Sequence, residues 1–432
     1  MQIAAVLVAL AAAAGHAQAK APHAAEGLDA IYPDLDALYL DVHKNPELSG
    51  HEEKTAAKLA DRLRRLGYEV TAGVGGTGVV GVLRNGQGPT VLLRTELDAL
   101  PVEEKTGLAY ASKATATDPA GKTVPVMHAC GHDVHMASWT GAAALLARAK
   151  DRWRGTVVMV GQPAEETVQG AKAMLDDGFL KRFPKPDFSV AVHDSSDLPA
   201  GKVAYVPGYA LANVDSVDVS IYGRGGQGAG PHKTIDPVVI GARTVVALQT
   251  LVSRENNPFD PAVVTVGSFQ AGNKYNLIPD EAHLQLTVRS YKPEVREHLI
   301  HGIERIAKAE AQAAGAQKEP KVSIAESANA TYNDPKLTDR LARALASQLG
   351  AGNVVAVDPV MGAEDFGEFG RAANAPSVLL WVGAVEPGRF AQAKGEALPP
   401  LHSSGFAPDR ERTLKTGVSA LVVSSLELLG KR

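Results

Sequence analysis

The sequence predicts an α/β fold with a discontinuous main domain, built on a mixed, mostly parallel sheet, and an inserted ferredoxin-like α+β domain. Residues 133–194 alternate helix and strand patterns, which favours a mostly parallel sheet with helices on both faces. Residues 214–325 then follow a strand–helix–strand–strand–helix–strand order, which is typical of the ferredoxin-like unit. Helix–strand alternation resumes afterwards, so we place the main domain at 20–212 and 328–432 and the insertion at 213–327.

The individual elements follow from periodicity and from turn residues. Residues 33–68 predict two helices broken around Asn45-Pro46, the second starting near Ser49 with Glu52 completing a capping box. The strands "GTGVVGVLR" and "PTVLLRTELDAL" are joined at "NGQG", a hairpin signal. The glycines at 73–81 lie between strands with no helix after them, so we predict a turn there and not a phosphate loop.

The later elements are predicted in the same way. We expect helices at 133–150, 168–180, 236–253 and 293–314, and strands at 156–162, 188–194, 214–222, 262–270, 281–290 and 319–325.

The N-terminus and the cysteine count bear on the compartment. Residues 1–19 form an uncharged apolar stretch that ends in the A-x-A site Ala17-Gln18-Ala19, which predicts a secretory signal and an exported, periplasmic or secreted protein. An uncleaved anchor or a mis-chosen start codon is the alternative. The single cysteine, Cys130, excludes an intramolecular disulfide, and a lone thiol in an oxidising compartment is best protected by burial or by ligation.

Charge and composition exclude two classes of partner. The chain has 44 basic and 48 acidic residues, a net charge of −4, no long run of either sign and 5% aromatic residues. A nucleic-acid-binding surface or a membrane-surface patch needs clustered basic residues, so we expect neither partner.

Metal-competent side chains concentrate at four places, each near a predicted strand end or helix start. They are "HACGHDVH" with Cys130 and His132, "QPAEE" with Glu165 and Glu166, "HD" with His193, and "LHSSGF" with His402. A thiolate, imidazoles and a carboxylate suit Zn²⁺ or a similar divalent ion. Taken singly, these motifs also fit a buried cysteine beside hydrogen-bonded histidines, or a solvated helix N-terminus at the two glutamates.

The chain resembles the dinuclear metallopeptidases and amidohydrolases that include aminoacylase, hippurate hydrolase and indole-acetyl-amino-acid hydrolase, relatives of carboxypeptidase G-type enzymes. The resemblance runs from about residue 30 to 430. It is carried by "NPELSGHEEKT", "GGTGVVGVL", "LLRTELDALPVEEKTG", "MHACGHDVHM", "GQPAEE", "GPHKTIDPV", "ALQTLVSR", "NLIPDEAHLQLTVRS", "GAEDFGEF" and "LHSSGF". It implies that the main domain is catalytic and that the insertion is a lid and dimerisation domain.

The resemblance also implies roles for individual residues. Two divalent metal ions are held with Cys130 as the bridging ligand; Zn²⁺ is the first choice and Mn²⁺, Co²⁺ or Ni²⁺ stay open. The other ligands are His132, Glu166, His193 and His402, and Asp98 orients a metal ligand from behind. Glu165 is the general base, and Asn276 and Arg289 grip the terminal carboxylate of the substrate.

The implied reaction is hydrolysis of the amide bond of an N-acyl amino acid or of a C-terminal amino acid conjugate. Glu165 accepts the proton of a metal-activated water and then protonates the leaving amine, which releases a free amino acid. A dipeptidase or aminopeptidase is the alternative within enzymes, and a homodimer is the expected assembly.

Two positions depart from the family pattern. Glu96, in "RTELDALP", replaces the shorter acid of "RADMDALP", and Gln227 stands where the family usually has the oxyanion-binding histidine of its lid. The loop "GRGGQGAGPH" also matches G-x-G-x-x-G, but Pro231 interrupts it before any helix, so we predict a turn that brings Gln227 over the metals. His232 is the candidate to compensate, and a non-catalytic, metal-bound homologue is the alternative that Gln227 leaves open.

Overall fold

The computed structural model describes residues 25–430. The predicted signal segment at 1–19 lies outside them and stays a prediction, as do the exact domain boundaries. The helices in chain order are α1 (Leu28–Lys44), α2 (Glu53–Arg65), α3 (His132–Arg148), α4 (Gly170–Asp176), α5 (Phe179–Arg182), α6 (Pro237–Thr250), α7 (Pro293–Ala313), α8 (Pro335–Leu349), α9 (Gly367–Ala373), α10 (Pro387–Ala393) and α11 (Arg410–Leu429).

The strands in chain order are β1 (Glu69–Val74), β2 (Gly78–Asn85), β3 (Thr90–Glu96), β4 (Thr115–Thr117), β5 (Thr123–Pro125), β6 (Gly155–Gln162), β7 (Phe188–Pro199), β8 (Val203–Tyr205), β9 (Gly208–Leu211), β10 (Val214–Tyr222), β11 (Gly226–Gln227), β12 (Ala262–Ala271), β13 (Leu277–Ile278), β14 (Glu281–Ser290), β15 (Lys321–Ala328), β16 (Thr331–Asn333), β17 (Val354–Ala356) and β18 (Ser377–Val385).

Eight of the described strands form one sheet in the order β1-β2-β6-β3-β7-β18-β8-β17. Its centre, β6-β3-β7-β18, is parallel. Alternate residues of each strand enter different cores: Val91 and Leu93 pack with α1, α2, α3 and α11, whereas Leu92 packs with α4, α5 and α9. The predicted mostly parallel sheet covered by helices on both faces is confirmed.

The insertion contains a second, four-stranded antiparallel sheet in the order β12-β14-β10-β15. The helices α6 and α7 cover one face and share its apolar core, which includes Leu248, Leu284 and Leu299. All four strands and both helices lie where the sequence predicts them, and the predicted ferredoxin-like unit is confirmed.

The predicted hairpin at "NGQG" is wrong, because β6 lies between β2 and β3 and pairs with both. The start of β6 passes so close that a Cβ at Gly88 would lie 2.8 Å from backbone atoms of Arg154. These glycines therefore admit a neighbouring strand and do not close a two-residue turn. The glycine-rich turn at 73–81 does join two strands, since β1 and β2 pair antiparallel across it.

The predicted capping box is also wrong. Helix α2 begins at Glu53 without a side-chain cap, and Ser49 donates its hydroxyl hydrogen bond to the carboxylate of Asp98 instead. Glu52, the other residue of the predicted box, is buried and accepts hydrogen bonds from the Ala164 N–H and the Thr77 hydroxyl. None of the described helices is long and apolar enough to cross a membrane.

Helix α3 is buried on nearly every side, between the sheet, α1 and α11. It begins after Gly131, whose φ of 76° is left-handed. A Cβ at this position would lie 2.1 Å from Oδ2 of Asp194 on β7. Only glycine lets the chain turn into α3 this close to the carboxylate.

Replacing Gly131 with alanine should therefore destabilise the protein more than the left-handed φ alone explains. Gly121 is the matched control, since its φ is 80° but a Cβ there meets nothing within 4 Å. We expect Gly121→Ala to cost about 1 kcal/mol and Gly131→Ala about 2 kcal/mol more, measured by thermal unfolding. Equal losses would contradict a steric role for Asp194.

Candidate metal centre

The metal-competent residues gather at one edge of the large sheet. Parallel strands β3 and β6 carry functional residues just beyond their carboxyl ends, as expected for a site in an α/β sheet. Strand β7 carries His193 just past its last pairing with β3, and the turn into α3 adds two more residues. A loop after β18 closes the group. The residues brought together are Asp98, Cys130, His132, Glu165, Glu166, His193 and His402.

The loop after β6 has an unusual backbone. Ala164 has a φ of 49°, which is uncommon for a residue other than glycine. The buried carboxylate of Glu52 holds it, since Oε1 accepts the Ala164 N–H at 2.9 Å and Oε2 accepts the Thr77 hydroxyl at 2.6 Å. His402 itself has a φ of 65°. Backbone strain at two of the loops thus accompanies the placement of the site residues.

Cys130 lies at the centre of the donor atoms. Its Sγ is 3.2 Å from Nε2 of His402 and 3.5 Å from Nε2 of His193. Nε2 of His402 is in turn 3.5 Å from Oε2 of Glu166. A central sulfur with nitrogen and oxygen donors around it is the arrangement that a bridging thiolate requires.

Hydrogen bonds fix which nitrogen of each histidine is free to bind. Nδ1 of His132 donates to the carbonyl of Asp98, and Nδ1 of His193 donates to the carbonyl of Asp194, both at 2.8 Å. Nε2 of each ring therefore carries the lone pair.

Two of the donor atoms are buried without a hydrogen-bond partner among the described residues: Nε2 of His132 and Oε1 of Glu166. They lie 3.9 Å apart. A buried polar atom without a partner is costly, and a cation between these two would satisfy both. The residues present therefore fit a metal centre.

Burial also disfavours the anionic forms that metal binding needs. Burial raises the pKa of the Cys130 thiol well above its ordinary value. Burial, with the nearby Glu364 and Glu166, raises the pKa of Glu165, and burial raises that of Glu166 to about 7. Divalent cations reverse this effect, because they stabilise thiolate and carboxylate directly.

Asp98 supports the centre by two routes. Its carbonyl accepts from His132, while its carboxylate Oδ1 is farther from the same ring nitrogen, at 3.5 Å. Its Oδ2 accepts from the Ser49 hydroxyl at 2.7 Å and from the Glu166 N–H at 3.0 Å. Asp98 thus orients a ligand ring and the backbone of a second ligand together.

A buried charged network that sequence reasoning missed adjoins the centre. Arg94 is buried in β3 and donates to Glu364 at 2.7 and 3.0 Å, to Glu96 and to Asp365. Oxygens of Glu165, Glu364 and Asp365 lie within 4.8 Å of one another. An arginine inside an apolar strand and the acids of "GAEDFGEF" were the available signals.

Glu96, the acid that departs from the family pattern, joins this network to the histidines. Its Oε2 is 3.0 Å from Nδ1 of His135, and its other oxygen accepts from Arg94. Nε2 of His135 contacts Asp194, accepting its N–H at 2.8 Å. His135 therefore supports the strand that carries His193 and is engaged at both of its nitrogens.

A cleft of about 750 Å³ opens between the large sheet and the insertion. Cys130, Glu165 and His402 line one wall, and Arg289 of β14 lines the other, where its Nη1 donates to the carbonyl of Met361 at 2.9 Å. This volume lies within the range of pockets for small organic ligands.

The remaining predicted residues do not line the cleft of their own chain. Gln227, His232 and Asn276 are exposed on the insertion and are absent from its walls. Gln227 pairs with Leu277 in the ribbon of β11 and β13. The glycine loop does not bring Gln227 to the cleft of its own chain, and its position over the metals of a partner subunit stays a prediction. No α-helix starts at this loop, because only a short 3-10 helix (Pro231–Lys233) follows it and α6 begins at Pro237.

Comparison with known proteins agrees with this centre. The chain matches the peptidase family M20/M25/M40 over residues 92–402. It is 36% identical over 394 residues to thermostable carboxypeptidase 2 of Saccharolobus solfataricus, covering 90% of this chain and 94% of that protein. It is 38% identical over 338 residues to the hippurate hydrolase of Campylobacter jejuni, covering 78% of this chain and 85% of that protein.

A solved structure supports the metal count. A Bacillus subtilis protein described as a dinuclear metal-binding peptidase of this family shares 28% identity and aligns with a TM-score of 0.73, covering 93% of this chain and all of that one. The prediction of a metal-dependent amide hydrolase that releases an amino acid is confirmed, and these relatives also support two divalent metal ions. The chain belongs to the peptidase family M20/M25/M40.

Proposed function

We propose that the cleft hydrolyses N-acyl amino acids, with Glu165 as the general base and Cys130, His132, Glu166, His193 and His402 as the metal ligands. The observation that carries this assignment is the pair of buried, unpartnered donor atoms on His132 and Glu166. Glu165 lies beside them, with its carboxylate 3.7 Å from Nε2 of His132.

Zinc best suits the thiolate and imidazole donors. When bound, the metals supply a Lewis acid and lower the pKa of a water. Glu165 is placed to take a proton from this water and to pass it to the leaving amine. The burial that raises the pKa of Glu165 favours such proton uptake.

Arg289 is proposed to select substrates with a free carboxylate. Its guanidinium is half-buried in the wall facing the metal ligands and suits fork-like binding of a carboxylate. The named activity of the C. jejuni relative agrees with such a substrate. Asp197, Glu326 and Asp358 also line the cleft, and an acidic wall could hold the amine of a dipeptide, which keeps the dipeptidase alternative open.

Changing Glu165 to Gln should strongly reduce turnover and leave the metals in place. We expect a loss of at least about 10²-fold in kcat, because the amide cannot accept the proton. The assay uses metal-reconstituted protein with N-acyl amino acids and dipeptides, with metal content measured for both proteins. Equal turnover in Glu165→Gln would exclude Glu165 as the base, and absence of amino acid release by the wild type would contradict the substrate class.

We further propose that Gln227 and Asn276 act in the cleft of a partner subunit. They are exposed beside each other, with the Gly228 N–H donating to the Asn276 carbonyl at 2.9 Å. An apolar surface of the insertion, formed by Val239, Val246 and Phe269 with exposed fractions of 54%, 72% and 39%, is the face that a second copy would cover. The amide of Gln227 would donate to the developing oxyanion.

Mixing two inactive variants tests this exchange. Glu165→Gln lacks a base and Gln227→Ala lacks a lid donor, so a mixed dimer contains one intact site if the lid acts across subunits. Activity should then recover toward about a quarter of that of the wild type after subunit exchange, since half the dimers are mixed and each has one working site.

The control for the mixing experiment removes the dimer itself. Val246→Asp in both chains should prevent recovery, whereas Ile324→Asp, on the opposite edge strand and 44% exposed, should not. If the mixture of Glu165→Gln and Gln227→Ala recovers no activity, even without the Val246→Asp or Ile324→Asp change, Gln227 does not act in the cleft of a partner subunit.

A further inference from the structure

A second cavity of about 760 Å³ lies away from the metal ligands, at the two connections between the large sheet and the insertion. It is similar in volume to the catalytic cleft and shares no lining residue with it. The large sheet's side contributes Tyr332 and Arg371, and the insertion contributes Tyr291 and Arg296. A molecule bound here would contact both units.

The connections run between the two cavities. In the first connection, Leu211 and Val214 line the catalytic cleft, while Asn213 lines the second cavity. Towards the second connection, Glu326 lines the cleft and Asn329 lines the second cavity. A molecule in the second cavity would therefore contact the same connecting segments that line the catalytic cleft.

Three tyrosines give the cavity an aromatic wall. The rings of Tyr209 and Tyr291 are stacked with centroids 6.0 Å apart, and Tyr332 meets Tyr209 edge-on at 5.0 Å. These rings come from both units and are all incompletely buried. A planar ring would complete such a cluster by stacking or by edge contact.

The cavity also offers a cation. Arg296 is already engaged by Asp215 through two hydrogen bonds of 2.7 Å, so its charge is balanced. Arg371 is only weakly engaged, 3.8 Å from Glu368 and 3.5 Å from the Ala330 carbonyl, and half of its side chain is exposed. Its guanidinium is the group available to an anion.

Other polar groups complete this wall. The buried Ser377 hydroxyl lines the cavity and has no hydrogen-bond partner among residues 25–430. Asp334 lines it too, but its carboxylate accepts the Leu337 N–H and caps α8.

We propose that this cavity binds a small aromatic carboxylate, with its ring against the tyrosines and its carboxylate on Arg371, and that binding changes how the insertion closes on the cleft. The ring matches the aromatic wall, the acid matches the one loosely engaged arginine, and the volume suits a single small molecule. Because the occupant contacts both units, any movement of the insertion relative to the large sheet would change its affinity, which would couple it to the active site.

Benzoate is the probe, and calorimetric titration of the metal-loaded full chain is the measurement. Arg289→Met serves as the background, because benzoate also fits the carboxylate-binding wall of the cleft. We expect benzoate to bind in this background, and cyclohexanecarboxylate and benzamide to bind about tenfold more weakly, since each lacks one of the two features.

Substitutions at the cavity identify the place of binding. Arg371→Met and Tyr332→Leu should each weaken benzoate binding about tenfold, whereas Arg343→Met, an exposed arginine paired with Asp339 elsewhere, should not. Absence of benzoate binding in the Arg289→Met background, or unchanged binding in Arg371→Met, would overturn the site.

Steady-state kinetics test the coupling separately from the proposed activity. In chains with an intact cleft, benzoate should change kcat or KM in a way that Arg371→Met removes, while basal turnover of this variant stays intact. Purely competitive inhibition that is identical in Arg371→Met would overturn the coupling. The calorimetric result does not depend on turnover, so it stands even if the proposed substrate class fails.

Discussion

The centre of this protein is organised by buried donor atoms that the chain itself does not satisfy. Nε2 of His132 and Oε1 of Glu166 face each other without a partner in the described part of the chain, close to the sulfur of Cys130. Each such group costs about 1–3 kcal/mol when it is left unpaired. Metal ions bound there would satisfy both atoms and would favour the ionised thiolate and carboxylate, which burial alone disfavours.

The surrounding structure keeps these atoms from finding other partners. Asp98 holds the ring of His132 and the backbone of Glu166, and Glu52 holds the left-handed turn before Glu165. Arg94 balances Glu96, Glu364 and Asp365 behind the site, so that several acids can be buried near one another. Removing one partner from such a network leaves an uncompensated buried charge and lowers the free energy of unfolding. The same residues therefore contribute both to stability and to the geometry of the centre.

Much of the fold was predictable because hydrophobic periodicity and turn residues act locally. The strands and helices of the insertion follow the predicted order, and the ligand motifs meet because strand ends share one edge of the sheet. The errors have a common cause in long-range competition. Ser49 does not cap α2 but donates its hydroxyl hydrogen bond to Asp98. Strand β6 lies between β2 and β3, which the sequence alone predicts to pair with each other. Neither partner is near in sequence.

The lid residues show a different limit. Motif matching placed Gln227 and Asn276 in the active site, but in one chain they lie exposed on the insertion, outside the walls of the cleft. In the dimer that we propose, their roles depend on assembly, which a single sequence does not encode in any local pattern. The sequence does not predict the ion pair of Arg94 and Glu364, because neither residue belongs to a local pattern that indicates a partner. The two are 270 residues apart in the chain and meet only in the folded protein.

The most direct measurement is the number and position of metal ions in the reconstituted full chain, by elemental analysis together with anomalous diffraction at the zinc edge. We expect two ions per chain, with Cys130 coordinating both and His132, Glu166, His193 and His402 as the remaining protein ligands. A single ion, or two ions that leave Cys130 uncoordinated, would contradict this expectation.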